Sequence, residues 1–357
     1  MTFTLISFKN TVAKNPIDRD YVLDALRGIA AVGVVLFHIT MDSKEPHYGL
    51  HLGKSGVQLF FLISGFVIYM SLSKTKSSKN FVISRFIRLY PTYWACVTFT
   101  FLLNAAYIFR HGELTATYFG NYLANMTMFQ HYMGIDNLDP PYWTLIVEMV
   151  FYLTMLGFYR IGLLKRIEII GSILATICFI IYAVIRLYSL EFYQTADFIY
   201  PLLNHFPLFL AGICFYLIKF EKSTLTRHII IVCCFLASIP TFESLGGSYF
   251  FTYAEHILTI AFWFITFYLY IYGLLGWITN RFLVFLGTIS YALYLVHQSI
   301  SIKYLKPYFA HKIVGHPWIG NFITLAIVIA IASAITFWIE KPAARFLKLR
   351  LSAKNQN

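Results

Sequence analysis

Apolar stretches recur along this chain at a length matching the thickness of a lipid bilayer. A helix rises about 1.5 Å per residue, so about 20 apolar residues cross the hydrocarbon core. Ten candidate spans can be drawn, at 25–41, 57–73, 92–109, 142–160, 167–187, 201–219, 228–240, 256–276, 282–302 and 318–340. The weakest are the first, which carries Arg27 and His38, and the seventh, which runs only 13 residues to Pro240. The supply of charge points the same way. Only 12% of the 357 residues are Asp, Glu, Lys or Arg, and 59% are hydrophobic; soluble domains carry about a quarter charged residues. So few charges cannot cover a water-soluble surface. The expected fold class is all-α, a polytopic membrane protein of about ten transmembrane helices.

An even number of spans puts both termini on one side. With the N-terminus cytoplasmic, 21 of the 28 Lys and Arg fall in inner loops and adjoining span ends, and 7 in outer ones. The positive-inside rule therefore predicts that both termini are cytoplasmic. The net charge of +12 becomes an orientation signal, and no nucleic-acid partner is expected. The chain divides into a cytoplasmic N-terminal segment (1–24), a transmembrane domain (25–340) and a basic cytoplasmic tail (341–357). No soluble domain is attached; the longest segment between spans, 110–141, is rich in Tyr, Asn and His. No cleavable signal, internal repeat or low-complexity segment is visible. Cys96, Cys178, Cys214, Cys233 and Cys234 all fall in apolar runs, which indicates neither a disulfide framework nor a zinc site. His47 and His51 stand four apart in an outer loop without further ligands, so no metal is expected.

An ionisable side chain within a span costs several kcal/mol unless it faces protein or water, which makes each one a functional candidate. Arg27 and His38 are 11 positions apart in the first span, about 16 Å or three turns, and so share one helix face. Arg27 reads either as a functional cation or as a snorkelling, topology-setting charge; His38 reads either as a working imidazole or as a packing residue. Glu148, near the outer start of the fourth span, and His297, near the outer end of the ninth, share the outer half of the membrane with His38. A His with a carboxylate neighbour is the common arrangement for a general base. On the inner side, the loop at 80–91 presents Arg85 and Arg88 at i, i+3 on one face. Such a pair suits a phosphate, though headgroup contact explains it as well. No Gly-x-Ser-x-Gly elbow, P-loop or His-Glu-x-x-His motif is present.

Several stretches together resemble the acyltransferase-3 family of ten-span integral membrane O-acyltransferases. They are Leu23-Asp24-Ala25-Leu26-Arg27-Gly28 with the Arg27–His38 spacing, Gly56 to Phe66, Arg85-x-x-Arg88, Trp143 to Glu148, and Gly287-Thr288-Ile289-Ser290-Tyr291 running to His297. They keep the family's order over nearly the whole chain. The resemblance implies an acyl-CoA donor, most often acetyl-CoA, on the cytoplasmic side as co-substrate, with no bound cofactor. It implies an acceptor hydroxyl on a cell-surface glycan, and a place in a bacterial inner (cytoplasmic) membrane. Arg27 and His38 would be essential, and Arg85 and Arg88 would act at the CoA end together with Arg27. His38 would take the acceptor's proton, with Glu148 or His297 orienting it; a covalent acyl-His step is the variant left open. Tyr142 and Trp143 would stack on sugar rings or form an interfacial belt, and Tyr291 would support the site. The chain matches the form without a fused extracytoplasmic SGNH domain, so any second-step transferase would be a separate protein.

A second function class uses the same residues. A proton-coupled transporter or exporter of a polar solute would relay protons through the intramembrane His and Glu. That reading expects inverted repeats with Gly- or Pro-broken spans, which the sequence does not show, and it does not require inner arginines.

Overall fold

The computed structural model describes residues 19–41, 50–111, 115–245, 252–313 and 316–354, and no strand occurs among them. Eight of its helical stretches are long and apolar enough to cross a membrane, and two shorter apolar helices fall at the expected sixth and seventh spans. We label these helices α1 (Tyr21–Thr40), α2 (Gly56–Lys74), α3 (Ser78–His111), α4 (Trp143–Arg160), α5 (Ile167–Ile180), α6 (Phe206–Phe220), α7 (Leu225–Ser238), α8 (Tyr253–Ile271), α9 (Arg281–Ser299) and α10 (Pro317–Ile335). The protein is an all-α polytopic membrane protein. Residues 80–91 correct the sequence reading: they form the first turns of α3, which passes through Pro91 without ending. Membrane helices tolerate such a proline because neighbouring groups satisfy the backbone bond it removes.

Helix α1 begins where Asp20 caps it, accepting the backbone N–H groups of Val22 and Leu23 at 3.1 Å. The other carboxylate oxygen accepts the Tyr270 hydroxyl at 2.6 Å and lies 3.8 Å from Lys219 Nζ. The inner end of α1 is thereby tied to α8 and α6. Further along, α1 meets α9 backbone to backbone. A Cβ on Gly28 would stand 2.7 Å from both the Gly287 nitrogen and the Leu283 carbonyl oxygen, and one on Gly287 would run into the Asp24 carbonyl. Helices α2 and α6 repeat the device at Gly65 and Gly212, whose added Cβ atoms would strike the carbonyls of Phe209 and Leu62. Lipid tails are as apolar as leucine, so close approach of small residues is a main source of helix association here.

The segment between α3 and α4 carries a short helix, Ala116–Asn125, and lies along α3. Tyr90, Tyr93 and Trp94, on one face of α3, donate to the carbonyls of Thr127, Asn125 and Met126 at 3.0, 2.6 and 2.9 Å. Asp139, fully buried, accepts the backbone N–H of Ser299 at the end of α9. These ties set where α4 starts, and hence where Trp143 stands. Both α9 and α10 end in π-helical turns, Ile300–Leu305 and Thr336–Glu340.

Gly287→Ala should force α1 and α9 apart, costing about 1–3 kcal/mol and lowering the thermal midpoint of the detergent-solubilised protein. Gly120→Ala, at a position where an added Cβ meets nothing within 4 Å, should leave that midpoint unchanged or slightly raised. Equal midpoints for both variants would contradict the packing account.

Candidate active site

Two cavities open between α1, α2, α4 and α9. The larger, about 490 Å³, is lined by Arg19, Arg27, Arg85, Arg88 and Lys341 together with Asp24, Glu148 and Glu340. The smaller, about 320 Å³, is lined by Phe37, His38, Lys54, Pro141, Trp143 and Gln298. Val57 and Tyr294 alone among the described residues line both. The 11-residue spacing on α1 therefore places Arg27 on one cavity and His38 on the other.

His38 and His297 are in contact. Their rings lie 4.9 Å apart between centroids, and His297 Nε2 is 3.2 Å from His38 Nδ1. Each stands ten residues beyond the glycine at which its helix crosses the other, Gly28 or Gly287. Two parallel helices with the same rise per residue thus bring both rings to one height. The hydrogen bonds assign the tautomers. A carbonyl only accepts, so His297 Nδ1, 2.7 Å from the Tyr294 carbonyl, carries that ring's proton and leaves Nε2 as an acceptor. His38 Nδ1 lies 2.9 Å from the Val34 carbonyl and so carries a proton too, which it shares with His297 Nε2. In neutral His38 the basic nitrogen is then Nε2.

Glu148 does not orient His38. Its Oε1 accepts the Ser64 hydroxyl at 2.7 Å and the Tyr152 hydroxyl at 2.5 Å, on the wall of the larger cavity. The ring beside His38 is His297, fully buried. Tyr142 is also corrected: it lines neither cavity, being fully buried with its hydroxyl 3.5 Å from Thr100 and its ring against Tyr93. Trp143 does line the smaller cavity, packed on Phe61 and His205. Tyr291 lines the larger one, and its hydroxyl donates to the Leu89 carbonyl at 3.3 Å.

Three of the five cations of the larger cavity are engaged by its carboxylates. Arg19 pairs with Asp24 at 2.6 Å, and Arg27 lies 3.4 Å from the same carboxylate. Arg88 pairs with Glu340 at 2.6 Å and stands over the Tyr291 ring. Arg85 reaches Ser71 and Ser84 at 3.5 Å. Sequence reasoning passed over Arg19, Ser64, Tyr152, Tyr294 and Glu340. Glu340 ends the tenth expected span and closes the π turn Thr336–Glu340, and it reaches Arg88 on α3. Phosphate oxygens fit this cavity chemically, because guanidinium forks bind them in pairs. His47 lies outside the described residues, and His51 pairs instead with Glu255 at 3.0 Å.

The family profile described as "Acyltransferase domain" matches residues 20–340. Among curated proteins, the chain is similar to the acyltransferase MdmB of Streptomyces mycarofaciens, 31% identical over 154 residues, 39% of each chain. It is similar to nodulation protein 10 of Rhizobium leguminosarum bv. viciae, 29% identical over 157 residues, 37% of this chain and 42% of that one. The chain thus spans about two fifths of the length of the curated relatives it matches. No solved structure matches it.

The tautomer assignment is open to direct measurement. Nitrogen-15 spectra of histidine-labelled protein at neutral pH should show His38 protonated on Nδ1 and bare on Nε2, with its signal identified by loss in His38→Ala. A His38 ring protonated on Nε2 would overturn the assignment.

Proposed function

Because this chain belongs to the Acyltransferase domain family over residues 20–340, we propose that it is a membrane O-acyltransferase using cytoplasmic acyl-CoA, with acetyl as the group transferred. The acceptor in this reading is a hydroxyl of a cell-surface or extracytoplasmic glycan. Both termini face the cytoplasm of a bacterial cell, and the membrane is its inner one. The observation that carries the reading is the pair of cavities meeting at Val57 and Tyr294, one lined by arginines and the other by His38.

Arg85, Arg88 and Arg27 hold the phosphates of the CoA head by charge-assisted hydrogen bonds. The pantetheine arm runs along the wall of Glu148, Ser64 and Tyr291 toward the junction. The acceptor enters from the smaller cavity, where the Trp143 ring offers a face for a sugar. His38 Nε2 takes the proton of the acceptor hydroxyl as its oxygen attacks the thioester carbon. The Nδ1 proton, held toward Val34 and His297, keeps Nε2 aimed at the acceptor and spreads the imidazolium charge. Collapse of the adduct breaks the C–S bond, and the thiolate leaves with the proton from His38.

Purified protein given labelled acetyl-CoA and the host's glycan should transfer label to that glycan. His38→Ala should lower kcat by about 10²–10⁴-fold. Arg85→Ala combined with Arg88→Ala should weaken acetyl-CoA binding by about tenfold or more, the size of a lost charged hydrogen bond. If no acceptor takes label while the intact protein moves a solute across liposomes, the transporter class replaces this reading.

A further inference from the structure

The reacting carbonyl has to be reached by the donor from one cavity and by the acceptor from the other. It therefore sits where the cavities meet, between Val57 and Tyr294. The Val57 side chain offers no polar atom. Of the two shared residues Tyr294 is the one with a polar side-chain group, its hydroxyl, and nothing in the motifs assigns it a task. We propose that Tyr294 is a catalytic residue whose hydroxyl donates a hydrogen bond to the thioester carbonyl oxygen as the tetrahedral adduct forms. The inference rests on the acyltransferase reading above and adds to it the group that stabilises the oxyanion.

The surroundings of the phenol suit that task. Thr144 Oγ1 lies 3.0 Å from the Pro141 carbonyl and 3.2 Å from the Tyr294 hydroxyl. When the Thr144 proton points at the phenol oxygen, the phenol keeps its own proton to donate elsewhere, and the hydrogen bond it receives makes it a stronger donor. The ring is fixed edge-on against Phe60, with centroids 5.6 Å apart. Tyr294 is also one turn before His297 on α9, so the two side chains share a face. Its backbone carbonyl accepts His297 Nδ1–H, and the two rings lie 5.6 Å apart. One turn of α9 thus carries the oxyanion donor and the ring that supports the base. Lys54 and Gln298 line only the smaller cavity, and Ser64 and Tyr152 only the larger.

The step balances without a further reactant. The acceptor oxygen forms a bond to the thioester carbon, its proton passes to His38 Nε2, and the carbonyl electron pair moves onto oxygen, where Tyr294 O–H meets it. As the C=O bond re-forms, the C–S bond breaks and the imidazolium proton goes to the thiolate. Tyr294 keeps its proton throughout.

Tyr294→Phe retains the ring between the cavities and removes only the hydroxyl. Its kcat should fall by about 10²–10³-fold, as for loss of one oxyanion donor, with the KM for acetyl-CoA essentially unchanged. Fluorotyrosines placed at 294, assayed below the pH at which each phenol ionises, give the second readout. The kcat should rise as the phenol becomes more acidic; a purely structural hydroxyl would give no such trend. A Tyr294→Phe protein that transfers at the wild-type rate, or a flat fluorotyrosine series, would overturn the role of Tyr294 and leave the acyltransferase reading standing. A wild-type protein that transfers nothing to any acceptor would overturn both.

Discussion

The backbone contact of α1 with α9 fixes the distance on which the site depends. In lipid, no hydrophobic force drives two apolar helices together, and shape decides where they meet. Gly28 and Gly287 admit one register, since a Cβ on either would collide with the other helix. From that crossing the two helices run parallel for ten residues to His38 and His297. A slip of one turn would carry the rings past each other by about 5.4 Å and break the shared proton. The Asp20 cap, held by Tyr270 and approached by Lys219, anchors the start of α1 and so resists that slip.

A different constraint shapes the larger cavity. Five cations collected inside a protein of low charge would repel one another, and the chain sets Asp24, Glu148 and Glu340 among them. Glu340 and Asp24 engage Arg88, Arg19 and Arg27 directly, while Glu148 is turned to Ser64 and Tyr152. In the proposed reading, an incoming CoA phosphate would meet guanidinium groups already paired with carboxylates. It has to displace those carboxylates, which favours a ligand with several phosphates over a singly charged anion. Glu340, the last residue of the π turn Thr336–Glu340, is the one that reaches Arg88.

Much of the architecture was legible in the sequence. The spans follow from length and apolarity, and the α-helical period placed Arg27 and His38 on one face before any neighbour was known. The partner of His38 was not legible. Glu148 and His297 fall at similar depths, and depth along separate helices says nothing about which faces meet; that depends on where glycines let the helices cross. Tyr142 and Trp143 are adjacent and equally amphipathic, yet Trp143, the first residue of α4, faces a cavity, while Tyr142, at the end of the turn before it, stays in the core. Arg85 and Arg88 looked like loop residues because cations lower the local hydropathy, although the helix of α3 runs straight through them. Tyr294 was hidden for a further reason: a tyrosine among apolar residues in a span is indistinguishable from packing until both cavities are seen to reach it.

The wall shared by Val57 and Tyr294 has an electrical side. In the proposed orientation, with the arginine cavity facing the cytoplasm and the His38 cavity facing outward, the septum between them is the lining they share, Val57 and Tyr294. The membrane potential, worth about 2.3 kcal/mol per unit charge for each 100 mV, would then fall almost entirely across that septum. An acyltransferase working there has to let an acyl group meet a hydroxyl while letting no ion through. A valine and an aromatic ring make such a barrier, because a narrow apolar constriction resists hydration. In that reading the two side chains shared by the cavities would also keep the bilayer insulating.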